Sequence, residues 1–235
     1  MKKKLTNLMM GLLVMVCAGF WPNETLAQFR PAVDVQEWPK GKVVLVTGDT
    51  LYGAITYHRT QDIVNVQHSD GSVSSLSPVN VDYFVAQEMP SGRSHMFRTL
   101  QWDMGKEYTD FKKPTFFEEL NRGTLTLVMR ETYVRRDANN SRGLASNYLH
   151  DAAYYSANNQ WMDQVKELYY ILLPDGNIIS LRNVRKDLHT LFGDRSKEVK
   201  KYVRKYNLDY SKPHELVAIV NYFNTLSLAS ISHAF

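Results

Sequence analysis

Apolar and polar positions first follow the two-residue alternation of strands and later the wider stripe of helices. Between Lys42 and Tyr57 two apolar runs flank Gly48-Asp49, and Leu51, Gly53, Ile55 and Tyr57 alternate with Tyr52, Ala54, Thr56 and His58. Glycine takes a positive φ freely, so Gly48 as the first of two central residues predicts a hairpin closed by a type II′ turn. A lone hairpin is marginal in water and must recruit further strands. Short β-rich runs at 62–68, 73–76 and 79–85 follow, separated by Ser69-Asp70-Gly71-Ser72 and by Ser77-Pro78, which are residues of turns and ladder breaks. Residues 28–40, with Pro31 and Pro39, read as an extended lead-in.

His95 to Trp102 predicts another strand, with Met96, Arg98, Leu100 and Trp102 on one side. Pro114 to Leu120 predicts a short helix, since proline suits a first turn, Glu118 and Glu119 follow it, and Asn121-Arg122-Gly123 is a stop. Thr124 to Tyr133 is a strand by its Thr, Leu and Val alternation. Residues 135–164 lack a period and predict a long loop. A second hairpin then joins 165–173 to 178–181 across Pro174-Asp175-Gly176-Asn177.

From Asn183 the period becomes helical. Val184, Leu188, Leu191 and Phe192 share one face, capped by Asn183 and stopped by Gly193. Val199, Tyr202, Val203 and Tyr206 form a second stripe, and Leu216, Ile219, Val220, Phe223 and Leu226 a third, entered through Ser211 and Pro213. The expected fold is therefore α+β. An antiparallel, barrel-like β region (28–134) precedes the loop, and a β-hairpin with three C-terminal helices (165–235) packs on it.

The start of the chain differs from the rest. Lys2, Lys3 and Lys4 precede an apolar run from Leu8 to Phe20, and Thr25-Leu26-Ala27 offers small residues for a peptidase. This is the pattern of a secretory signal peptide over residues 1–27, because the run is shorter than the ~20 residues a spanning helix needs. The single cysteine, Cys17, falls inside it, so the exported chain has no thiol for disulfides or thiolate chemistry. Without the leader's three lysines and Glu24, the formal charge drops from +4 to +2. So small a net charge lacks the footprint of a nucleic-acid partner.

Charge matters locally instead. Arg182 to Tyr206 holds nine Lys and Arg residues against Asp187, Asp194 and Glu198. Lys197, Lys200, Lys201 and Arg204 oppose the apolar stripe of the second helix, which makes it basic and amphipathic. Such a helix is either a solvated exterior or a docking face for an anionic membrane surface or acidic partner. Tyr148, Tyr154, Tyr155 and Trp161 cluster in or beside the long loop, where aromatic rings either stack on a glycan or protein partner or fold back on the sheet.

Catalytic signals are poor. No two histidines sit at the i, i+4 spacing of a helical zinc site, and no cofactor motif is present. Gly92-Arg93-Ser94-His95 lacks the second glycine of a nucleophile elbow. Glu118-Glu119 and Asp103/Glu107 read as a solvated helix face and a polar loop, because proximity in sequence does not set the separation a glycosidase requires.

Gly48 to Ile55, Phe116 to Leu120 with Gly123 to Leu127, and Val220-Asn221-Tyr222-Phe223-Asn224 together resemble uncharacterised secreted proteins of Bacteroidota-type bacteria. That resemblance spans most of the chain after the leader and brings no catalytic residue with it. Residues 43–66 are also similar to the first motif of Sm-like small barrels, with Leu51-x-Gly53-x-Ile55 followed by Asp62 and Asn65; this implies a strongly bent barrel strand. The expectation is an exported, periplasmic or cell-envelope protein of a Gram-negative bacterium, a non-enzymatic module binding a protein or glycan. The alternative is a cofactor-independent hydrolase with carboxylates assembled by the fold.

Overall fold

In the computed structural model, which describes residues 34–106, 111–137 and 161–232, the alternating stretches form ten strands. These are β1 (Val35–Leu45), β2 (Thr50–His58), β3 (Ile63–Gln67), β4 (Val73–Leu76), β5 (Val81–Gln87), β6 (Ser94–Trp102), β7 (Lys113–Glu119), β8 (Thr126–Asp137), β9 (Trp161–Leu172) and β10 (Ile178–Ser180). They make one antiparallel sheet in the order β10-β9-β8-β7-β6-β5-β1-β2-β3-β4. The sheet curls into a half-barrel, and three helices follow it, so the α+β class holds.

The first hairpin pairs Val43 with Leu51 and Val44 with Thr50. Its turn differs from the expected one. Gly48 N donates to Leu45 O (2.9 Å) and Leu45 N to Asp49 O (2.8 Å), so the loop has three residues and Gly48, at φ 92°, closes it rather than opening it. That is the longer hairpin loop in which glycine takes the left-handed position. The strand also starts earlier than the 28–40 lead-in suggested, because Pro39 falls at the register shift between Trp38 and Gly41, where a missing N–H costs no ladder bond. Inside the curl, Trp38, Val43, Ile55, Tyr57, Val64, Val66, Val81, Phe84, Phe97 and Phe116 form a closed core. Phe84 stacks on Phe97 at 4.4 Å between centroids.

The stretch expected as a helix at 114–120 is strand β7, pairing from Phe97↔Glu118 to Trp102↔Lys113 with β6. Phe116 is buried in the inner core and its neighbour Phe117 in a second cluster with Val128 and Tyr170 on the other face. Two large adjacent side chains can bury on opposite sides only in an extended chain. Strand β7 pairs with β8 only through Glu118↔Met129 and Glu119↔Val128, and the freed backbone of Phe116 is satisfied from elsewhere. Its N–H donates to Asp62 Oδ2 (3.3 Å), and its carbonyl accepts from Arg130 Nη1 (2.5 Å).

Strands β8 and β9 pair from Thr126↔Leu172 to Asp137↔Trp161. Both ends of the expected 135–164 loop are therefore strand, since a register already fixed by Leu127↔Ile171 propagates by ladder bonds into sequence with little apolar signal. Residues 138–160 lie outside the described residues.

The helices are α1 (Val184–Leu191), α2 (Ser196–Tyr206) and α3 (Pro213–Ser232). Asn183 caps α1, its side chain accepting from Lys186 N, as its position in the sequence implied. Leu188, Phe192, Val199, Leu216, Ile219, Val220 and Phe223 bury against Leu125, Leu127 and Ile171 of the sheet. Asn224 fixes the register of α3: its Nδ2 donates to Leu125 O and its Oδ1 accepts from Leu125 N, both at 2.9 Å. Gly123 lets the helix approach, because a Cβ there would meet Asn224 Nδ2 at 2.2 Å.

Candidate functional site

The fold does gather carboxylates. Asp62, Glu118 and Glu131 all reach the seam where the β2–β3 turn meets β7 and β8. Asp62 Oδ1 accepts from Tyr57 Oη at 2.8 Å and faces Arg130 Nη1 at 3.3 Å. Glu118 Oε1 lies 2.7 Å from His95 Nδ1. Glu131 Oε2 accepts from Arg59 Nε at 2.5 Å and from Gln36 Nε2 at 2.8 Å. Burial pushes the Glu131 carboxyl above its usual range against the pull of Arg59, and burial likewise pushes the Tyr57 hydroxyl far up.

This seam has little free space. The gap bounded by Tyr57, Phe97, Phe116, Glu118, Met129 and Glu131 measures about 10 Å³, room for one water. Glycoside hydrolysis needs a sugar between its carboxyls. The seam satisfies buried polar groups. Glu118 and Glu119, expected together on a solvated helix, face opposite sides of β7 instead, with Glu119 held by Arg98 at 3.3 Å and by Arg122. Glu107 lies outside the described residues.

The roomier feature lies among the helices. A hollow of about 620 Å³ opens between α1, α2 and the 207–212 connection. Helical spacing aims the side chains: Arg185 and His189 are four residues apart on α1, as are Lys200 and Arg204 on α2, so each pair shares a face. Asn207, at φ 51°, ends α2 in the left-handed region, and Leu208 N reaches back to Val203 O (3.0 Å). That reversal sends the connection back over α1 and sets Tyr210 Oη 2.7 Å from His189 Nε2.

The ring of His189 is held at both nitrogens, with Ser196 Oγ 3.0 Å from Nδ1. The guanidinium of Arg185 lies 5.9 Å from the Tyr210 ring centroid. Burial first, then repulsion from Lys200 and Arg185, holds His189 below its ordinary value. Burial raises the Tyr210 hydroxyl although Arg185 pulls the other way.

Of the carboxylates at the rim, Glu215 is ion-paired, whereas Asp209, which lines the hollow, is hydrogen-bonded but keeps its charge. Asp209 Oδ1 accepts from Ser211 N (2.9 Å), and that bond lowers its pKa. Glu215 neutralises Lys212 at 2.9 Å and accepts from Asp209 N at 2.5 Å. Among the described residues, Arg185, Lys200 and Arg204 form no ion pair. Three cations without ion-pair partners thus border one concavity, against the single unpaired carboxylate of Asp209 and beside the aromatic ring of Tyr210 and the apolar Val184, Val203 and Leu208.

Of the residues singled out in the sequence, Lys200 and Arg204 line the hollow, whereas Lys197 and Lys201 are exposed on the same helix outside its lining. Tyr148, Tyr154 and Tyr155 lie outside the described residues, as does the side chain of Trp161. Arg185 stood in the sequence only as one of the nine basic residues of 182–206, and His189 and Tyr210 carried no site signal of their own there. The Arg185/His189 spacing on a predicted helix was a usable signal, but the fold-back of Tyr210 was not. No described group of three or more His, Cys, Asp and Glu side chains could hold a metal ion. No described helix is long and apolar enough to cross a membrane. No protein-family model, no curated protein and no solved structure matches the chain.

Proposed function

We propose that this chain is an exported cell-envelope protein of a Gram-negative bacterium that works as a non-enzymatic binding module, holding an anionic protein or glycan partner at its helical end. The signal-peptide pattern of residues 1–27 supports export. The observation that carries the binding reading is the set of three cations, Arg185, Lys200 and Arg204, that line a concave surface without ion-pair partners and outnumber its one unpaired carboxylate, Asp209. Cations in such a place attract an anionic partner from solution and gain most from one that fits between them.

Retention on a heparin column, a polyanionic glycan, tests this. The protein should be retained and elute with salt, and an R185Q/K200Q/R204Q variant should elute at lower salt than a K197Q/K201Q/K205Q variant of equal charge. Flow-through of the wild-type protein, or equal elution of the two variants, would contradict a binding end focused on the hollow.

A further inference from the structure

The chemistry around the hollow goes beyond a protein or glycan partner, while resting on the reading that the helical end is the binding end: we infer that the hollow takes an organic phosphate, a phosphate ester whose body rests against Tyr210. Set against Asp209, the three unpaired cations leave the lining with an excess of two positive charges, which suits a ligand group with more than one negative charge, and a phosphate monoester carries nearly two at neutral pH. Arg185 and Arg204 offer planar guanidinium forks, which match phosphate oxygens two at a time, while Lys200 adds a point charge. A bare tetrahedral anion fills little of the open hollow of about 620 Å³, which leaves room beside the phosphate for an organic body. Part of the remaining wall suits such a body, the Tyr210 ring and the side chains of Val184, Val203 and Leu208, and the rest, with Asn207, Asp209 and Ser211, offers polar groups to its hydroxyls. The hydrogen bond to His189 fixes the tyrosine ring in advance, which reduces the ordering that binding must impose.

The negative charge also acts on His189. Burial first, then Lys200 and Arg185, hold its ring below the ordinary value, and Asp209, Tyr210, Ser196 and Lys212 complete its polar surroundings. An anion among these cations offsets their repulsion, so binding favours proton uptake by the ring.

Calorimetric titration of the purified protein with glucose 6-phosphate, with glucose and inorganic phosphate as comparisons, is the test. Saturable binding of glucose 6-phosphate, at least ten-fold tighter than inorganic phosphate and with no heat from glucose, is expected. R185Q/R204Q should weaken it at least ten-fold, and K197Q/K201Q, which removes the same charge outside the lining, should leave it within two-fold. Both pairs are exposed, and unchanged circular dichroism would show that each variant folds. Equal loss in the two variants, or inorganic phosphate binding as tightly as the ester, overturns the inference. So does binding to phosphatidylglycerol vesicles with none to the soluble ester, because the phosphate would then be read at a lipid surface. Retention on heparin without ester binding rejects the ligand class and leaves the binding end standing; loss of both rejects the two together.

Discussion

Arg130 shows how much one side chain can hold together. Its guanidinium bonds the Phe116 carbonyl and Asp62 and lies over the rings of Trp102 and Phe117, at 5.7 and 5.4 Å from their centroids. Replacing it with Met keeps the bulk but strands a buried carboxylate and a carbonyl. Arg130→Met should lower unfolding stability by about 3 kcal/mol in urea titration, whereas Tyr57→Phe, which removes only the hydroxyl donor to Asp62, should cost about 1 kcal/mol. A loss under ~0.5 kcal/mol for Arg130→Met would mean that the break between β7 and β8 does not depend on this pair. None of this was legible in the sequence, because Asp62, Phe116 and Arg130 meet only through the curl of the sheet. His189 adds a pH dependence of known sign. Its folded pKa is lowered from 6.5, so its contribution to stability is complete above pH 6.5 and is lost as the pH falls through the lowered folded value. Denaturation midpoints measured from pH 7.5 to 5 should fall, and His189→Gln should flatten that slope.

The strands and helices differ in how openly they announce themselves. Asn183, Pro213 and the stripe through Val199 and Val203 marked helices correctly, because capping and periodicity are local properties. The β9–β10 hairpin was equally plain from Pro174-Asp175-Gly176-Asn177. Strand β7 was not: buried on both faces, Thr115-Phe116-Phe117-Glu118 shows no alternation, and the proline and glycine that bound it are the same residues that bound short helices. The docking of α3 was also hidden, since Asn224 and Leu125 are 99 positions apart. Asn224→Ala leaves the Leu125 N–H and C=O buried and unpaired, and should cost about 2–4 kcal/mol by chemical denaturation. Asn224→Asp keeps the acceptor and loses the donor, so its loss should be of similar size. If Asn224→Ala retains full stability, the helical layer is held by its apolar face alone.

Taken together, the half-barrel and its helical layer divide the work between them. The sheet commits its buried carboxylates to internal partners and closes around aromatic rings, while Arg185, Lys200 and Arg204 on the helices line an open hollow without ion-pair partners. The α+β class and the basic character of α2 could be read from the chain, because both follow from periodicity and local charge. Which of those cations share a concavity could not, since that depends on the left-handed turn at Asn207 folding Tyr210 onto His189. The positive hollow is therefore the claim on which the functional account stands, and His189 is a probe placed inside it. An NMR titration of the His189 ring, assigned with His189→Gln and run with and without the ester, separates the cations' share of the lowering from that of burial. The midpoint should lie below 6.5 and rise when glucose 6-phosphate is added; a midpoint at or above 6.5 that ignores the ester would contradict a positive hollow.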